Sequence, residues 1–145
     1  VNKILNIISH SEKETLALAE KLVPSFRQGD ILILTGKLGS GKTVFVKGMA
    51  AALGIDTNLV NSPSFKIVNE YYGKYPFYHL DLYRINDPYE LNEIGWEQYV
   101  NSDGLVAVEW GEKAAQYISK QYYKIVFDII DDNQREINIS IVENE

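Results

Sequence analysis

An unbroken apolar run, Ile31-Leu32-Ile33-Leu34, leads almost directly into Gly36-Lys37-Leu38-Gly39-Ser40-Gly41-Lys42-Thr43. Few stretches of this length restrict a fold so tightly. Four consecutive branched aliphatic side chains suit a strand covered on both faces, as in the parallel core of an α/β sheet. The closely spaced glycines then permit a backbone curl that other residues resist. Beyond them Phe45, Met49, Ala52 and Leu53 recur at helical spacing, and Gly54 is a natural C-terminal stop. The order is therefore buried strand, tight glycine bend, helix from about Lys42 to Leu53.

The bend matches G-x-x-x-x-G-K-[ST] at every fixed position, and each position has a physical use. Glycines let successive amides point inward and form a nest for anionic oxygens. The helix that follows adds its positive dipole end. The Lys42 ammonium can reach β- and γ-phosphates, and the Thr43 hydroxyl can ligate Mg²⁺. Gly36, Lys37, Leu38, Gly39, Ser40, Gly41, Lys42 and Thr43 are thus candidate nucleotide-binding residues. The expected fold class is α/β, a P-loop NTPase-like mixed sheet with parallel core strands, antiparallel hairpins and flanking helices.

The rest of the chain supports one such domain over residues 1–145. Val1–Ile8 alternates as a strand. Ser11-Glu12-Lys13-Glu14 reads as a capping box, followed by the stripe Leu16, Ala19, Leu22, Val23 and Phe26, with Pro24 stopping the helix. Phe65–Tyr72 and Tyr75–Tyr83 read as a hairpin across Gly73-Lys74. Asp87-Pro88 opens a helix running to about Val100. Leu105–Val108 is a second buried-type strand ending in Glu109, a short helix covers Glu112–Ile118, and strands Tyr122–Ile130 and Arg135–Val142 close the chain.

With 46% hydrophobic and 23% charged residues the composition is that of a globular protein, and the absence of cysteine excludes disulfides and thiolate metal sites. No apolar run approaches the roughly 18 residues that cross a bilayer, and the first residues do not form a signal peptide; the expected location is cytoplasmic. A net charge of −6 with no basic cluster argues against an unaided grip on nucleic acid. The ten tyrosines scatter through apparent strands and read as packing residues.

A phosphate site of this kind needs a carboxylate near the ion, commonly at the C-terminal end of a neighbouring buried strand. Glu109 ends the unbroken run Leu105–Val108 and is the favoured metal-side acid, together with Thr43. Asp81, on the more alternating Phe77–Asp81, would position the attacking water or complete the metal shell. His79 shares the Asp81 side of that strand and is open to a structural or a functional reading. Ser62-Pro63-Ser64-Phe65 lies where nucleotide-sensing loops occur in switch proteins.

Taken together, the glycine bend at 36–43, Ser62-Pro63-Ser64-Phe65, His79-Leu80-Asp81-Leu82-Tyr83-Arg84 and Val108-Glu109-Trp110-Gly111-Glu112 resemble the bacterial TsaE family, also called YjeE or YdiB, in order and spacing over essentially the whole chain. The resemblance implies an ATPase needed to make N6-threonylcarbamoyladenosine in tRNA beside the anticodon. Such a protein acts with a TsaB–TsaD complex and meets tRNA only through it. It also implies that Lys42 and Thr43 bind phosphate and metal, that Glu109 and Asp81 are the metal-side and catalytic acids, and that Trp110 lies near the nucleotide. Ser9–Thr15, with Ser11 and Thr15, is similar to the segment beside the adenine. Ser62 and Ser64 stand where threonines are commoner, which preserves the hydroxyls.

The reaction expected is in-line attack of water on the γ-phosphoryl group, with Lys42, the loop amides and Mg²⁺ neutralising developing charge. Among Arg27, Arg84 and Arg135, Arg84 is the best internal source of further positive charge, and a partner is the alternative. A small-molecule P-loop kinase and a nucleotide-gated binding module are the rival readings. A GTP switch is disfavoured by the lack of Asn-Lys-x-Asp and Asp-x-x-Gly.

Overall fold

The computed structural model describes residues 2–60 and 67–143. The segment Ser62–Phe65 and the first part of the expected strand Phe65–Tyr72 lie outside the described residues. Seven strands form one sheet in the order β1-β7-β6-β2-β5-β4-β3. They are β1 (Asn2–Ser9), β2 (Ile31–Thr35), β3 (Val68–Tyr72), β4 (Pro76–Asp81), β5 (Leu105–Glu109), β6 (Tyr122–Ile129) and β7 (Arg135–Val142). Strand β2 runs parallel to β5 and β6, and β4 runs parallel to β5, while β3–β4, β6–β7 and β1–β7 are antiparallel. The sheet is mixed α/β with a parallel centre, as the two apolar runs require: every residue of β2 and β5 is buried.

Alternation along these strands divides the core. Leu32, Leu34, Phe77, Leu105 and Ala107 join the cluster beneath helices α1 (Glu12–Leu22) and α2 (Lys42–Ala52). Ile31, Ile33, Leu80, Val106 and Val108 pack on the opposite face with Leu91, Trp96, Val100, Ala114 and Ile118. Helix α1 begins at a Ser11 cap whose hydroxyl accepts from the Glu14 amide. The Glu14 carboxylate takes the His10 amide at 2.9 Å, one residue before the amide a reciprocal box would use. Helix α2 ends in a Schellman turn, with Gly54 at φ +76° and the Ile55 amide donating to the Ala50 carbonyl.

Two expected helices differ in form. The one starting at Asp87 is broken into α3 (Tyr89–Glu93) and α4 (Trp96–Val100). Gly95, at φ +79°, is the break, because a left-handed residue cannot continue a right-handed helix. Asp87 still caps the start by accepting from the Tyr89 amide. The helix expected over Glu112–Ile118 is two short 3-10 turns, Gly111–Lys113 and Ala115–Tyr117. Ala114, buried in the core, sits between the two turns at φ −121°, ψ −1°, outside the α-helical region, and so separates them.

Helices α1 and α2 pack tightly together at Gly48. A Cβ there would lie 2.2 Å from the Leu16 carbonyl oxygen and 2.7 Å from the Ala19 Cβ. Alanine gains about 1 kcal/mol over glycine in a free helix, but overpacking of this severity costs about 1–3 kcal/mol, and the clash is with backbone. Gly48→Ala should therefore lower the urea-unfolding free energy despite its better helix propensity; an increase would show that the helices separate at no cost.

Candidate functional site

Parallel pairing of β2, β5 and β4 brings their C-terminal ends to one edge of the sheet, where the chain leaves β2 through Gly36–Gly41 and enters α2. Gly36, Gly39 and Gly41 have φ of +153°, +78° and +105°, values side-chain-bearing residues rarely adopt. At Gly36 a Cβ would also meet the Ser40 hydroxyl at 2.6 Å and the Phe127 carbonyl oxygen at 2.7 Å. Helix α2 has no side-chain cap at Gly41, so its first amides are left for another acceptor.

A cleft of about 590 Å³ opens over this helix start. Gly39, Gly41, Lys42, Thr43, Asp81, Arg84, Glu109, Trp110, Ser11 and Thr15 line it, together with Leu38 and Arg135. Most of the residues singled out from sequence thus converge, Thr43 and Glu109 from positions 66 residues apart in the chain. Leu38 is largely exposed at the rim. Gly36 and Lys37 border a smaller hollow instead, with Trp110 contributing to both, and Ser40 is buried with its hydroxyl unpartnered among the described residues. Ser11 and Thr15 reach the cleft with their hydroxyls already engaged: Ser11 Oγ caps α1, and Thr15 Oγ1 lies 2.7 Å from Ser9 Oγ.

Lys42 Nζ donates to the Gly36 carbonyl at 2.6 Å and sits 3.6 Å from the centre of the Trp110 ring, a cation–π contact. Burial pushes the Lys42 ammonium below the ordinary lysine value, while Glu109, Glu112 and Asp81 pull it back up. Trp110 is at φ +58°, the one non-glycine residue with positive φ among the described residues, and its ring also packs on Tyr83. Strain of this kind is kept where surrounding contacts determine it; here the Trp110 amide is tied to the Leu34 carbonyl and Gly111 fits tightly against Ile33.

Thr43 Oγ1, in the first turn of α2, donates to the Glu109 carboxylate, 3.1 and 3.2 Å from its two oxygens. Glu109 is 3% exposed, and its Oε2 also lies 2.5 Å from His79 Nε2. Asp81 pairs with Glu109 in register and accepts the Tyr83 amide at 3.0 Å. Burial holds the Asp81 carboxyl above the usual carboxylate value, partly offset by that amide. The donor set of hydroxyl and carboxylate oxygens suits Mg²⁺. Among the described residues no three His, Asp or Glu side chains gather to hold an ion alone, so a magnesium ion fits only if phosphate oxygens complete its shell.

Two arrangements were missed in the sequence. His79 bonds to the acid that the motifs single out, although only its strand face was legible. Arg135, far from every motif, donates to the Gly39 carbonyl at 3.0 Å and to the carbonyls of Asp131 and Gln134. The signal available for it was its place at the start of the last strand, beside the β6–β7 turn.

A raised folded-state pKa at Asp81 means that the native state takes up a proton above the ordinary value of 3.8. Stability therefore falls as pH rises through that window. Asp81→Asn, which keeps an acceptor for the Tyr83 amide, should be more stable than wild type at pH 7, with the gain shrinking as pH approaches 4. Thermal melts across this range check the sign, and a gain that grew toward low pH would contradict it.

A family model described as threonylcarbamoyl adenosine biosynthesis protein TsaE matches residues 9–137. The chain is 40% identical over 133 residues to the tRNA threonylcarbamoyladenosine biosynthesis protein TsaE of Bacillus subtilis, covering 91% of this chain and 82% of that protein. It is 31% identical over 136 residues to the protein of that name from Treponema pallidum, covering 94% and 100%. The crystal structure of Bacillus subtilis YdiB matches with a TM-score of 0.78 at 32% identity, over 97% of this chain and 86% of that one.

Proposed function

The chain belongs to the TsaE family, and from that membership we propose that it is a Mg²⁺-dependent ATPase serving N6-threonylcarbamoyladenosine formation in tRNA. In this reading it acts in the cytoplasm with TsaB- and TsaD-type partners and does not transfer the threonylcarbamoyl group itself. Among the described residues no helix is long and apolar enough to cross a membrane. The single observation that carries the reading is the buried Lys42 and the Thr43–Glu109 contact at the floor of one cleft, at the start of an uncapped helix.

In the mechanism that follows, the amides of the glycine bend and of the first turn of α2 hold the phosphate oxygens. Lys42 exchanges its bond to the Gly36 carbonyl for the β- and γ-phosphates, where its charge opposes that developing in the transition state. Thr43 and Glu109 would hold a Mg²⁺ ion through their oxygens, and that ion would neutralise phosphate charge. Asp81, whose raised pKa brings it nearer to the working pH of a base, orients the attacking water. Trp110 and Tyr83 limit access of bulk water from the side.

Arg84 and Arg135 both line the cleft, which bears on the kinase alternative, since kinases gather arginines about two substrates. Arg135 is committed to three carbonyl oxygens, leaving Arg84 as the internal cation for a developing charge. One such arginine suits slow hydrolysis that partners accelerate.

Phosphate release should be slow for the isolated chain and faster when TsaB- and TsaD-type proteins are added. Lys42→Ala and Asp81→Ala should each lower kcat by about 10²–10³-fold, the loss typical for a group that stabilises charge in the transition state. Lys42→Ala should also weaken ATP binding, whereas Asp81→Ala should bind ATP normally. Hydrolysis unchanged in both variants would remove the ATPase reading. Transfer of phosphate to a metabolite would favour the kinase.

A further inference from the structure

His79 is buried completely, on the sheet face covered by α2, at a position where stability alone favours an apolar residue. It faces Ala107 across the β4–β5 pair, and the next same-face pair is Asp81 with Glu109. The small Ala107 side chain leaves the diagonal free, so the imidazole leans along the strand direction to reach Glu109. Its Nε2 lies 2.5 Å from Glu109 Oε2, and its Nδ1 has no hydrogen-bond partner among the described residues.

Those two facts fix the ring. A proton on Nδ1 would bury an N–H with no acceptor, a cost of about 1–3 kcal/mol, while a proton on Nε2 points at a carboxylate oxygen. The ring is therefore the Nε2–H tautomer and donates to Oε2. Thr43 Oγ1 lies 3.1 Å from Oε1 and 3.2 Å from Oε2, so the His79 bond is what distinguishes the two oxygens. Rotation of the carboxylate about its last torsion would break that bond, and Oε1 is left as the oxygen with no partner but Thr43 among the described residues.

We propose that His79 is a positioning residue that locks the Glu109 carboxylate so that one chosen oxygen is presented, beside the Thr43 hydroxyl, to a divalent ion shared with the nucleotide. The inference rests on the Mg-nucleotide reading above and deepens it. A pair of this kind brings little net stability, since a packed apolar pair does as well. Its gain lies in orientation, as with outer-shell partners that steer metal ligands.

The test measures binding of ADP to the full chain by calorimetry, with and without Mg²⁺. Wild type should bind ADP more tightly with Mg²⁺. In His79→Leu that Mg²⁺-linked gain should fall about 10–100-fold, the usual loss for such a partner, with metal-free ADP affinity unchanged. His79→Gln, whose side-chain amide also offers an N–H to Glu109, should recover most of it. In a Glu109→Gln background, His79→Leu should cause no further loss. A folded His79→Leu protein with the full Mg²⁺-linked gain overturns the proposal and leaves the nucleotide reading intact. A wild type whose ADP binding ignores Mg²⁺ overturns both. Independently of any variant's folding, ¹⁵N NMR of the wild-type ring should show a protonated Nε2 and a bare Nδ1; the opposite tautomer overturns the proposal.

Discussion

A carboxyl group buried at the end of a central strand must find hydrogen-bond partners or its desolvation goes uncompensated. Glu109 meets that requirement with two groups from elsewhere in the chain: the Thr43 hydroxyl at the start of α2 and His79 on β4. The three side chains come from the strand beside the glycine bend, from the helix after it and from the next strand out. None of these contacts forms unless β2, β5 and β4 are parallel and in register, because only then do their ends reach one edge. The sheet order thus makes the site, and the site's polar bonds in turn tie helix α2 to two strands beneath it.

What could be read from the sequence was whatever is encoded locally. The runs Ile31–Leu34 and Leu105–Val108 are buried on both faces because their patterns leave no polar side to expose. The glycine bend is legible because positive φ at Gly39 and Gly41 demands glycine. The misreadings share a cause of the opposite kind. Asp87-Pro88 marks a helix start and nothing before Val100 marks a stop except Gly95, whose left-handed φ resets the backbone so that buried Leu91 and Trp96 stand five residues apart. After Trp110 the backbone leaves helical dihedrals at Ala114, a break that nothing in the local propensity marks.

The contacts of His79 and Arg135 depend on pairings made only in three dimensions. For His79 a signal did exist: alternation put it on the Asp81 side, and Ala107 two residues before Glu109 is the small neighbour it needs. The register of β4 against β5 turns that signal into a contact, and a parallel register cannot be read from either strand alone. Arg135 is reached by the hairpin return of β7 alongside β6, which carries it back to the Gly39 carbonyl.

The cleft's charge carries a further consequence. Glu12, Asp81, Glu109 and Asp132 line it against Lys42, Arg84 and Arg135, and the chain as a whole is at −6. A lining with more carboxylates than cations would repel a polyanion, and burial already weakens the hold of Lys42 on its proton. Backbone amides and the dipole of α2 recover part of the deficit. On the proposed reading, a divalent ion placed between Glu109 and the phosphates supplies the rest. It turns the acid that would oppose the nucleotide into a ligand on the same ion. The carboxylate can do this only if one oxygen faces the ion and does not rotate away, so the acidity of the cleft and the locked orientation of Glu109 answer the same electrostatic need.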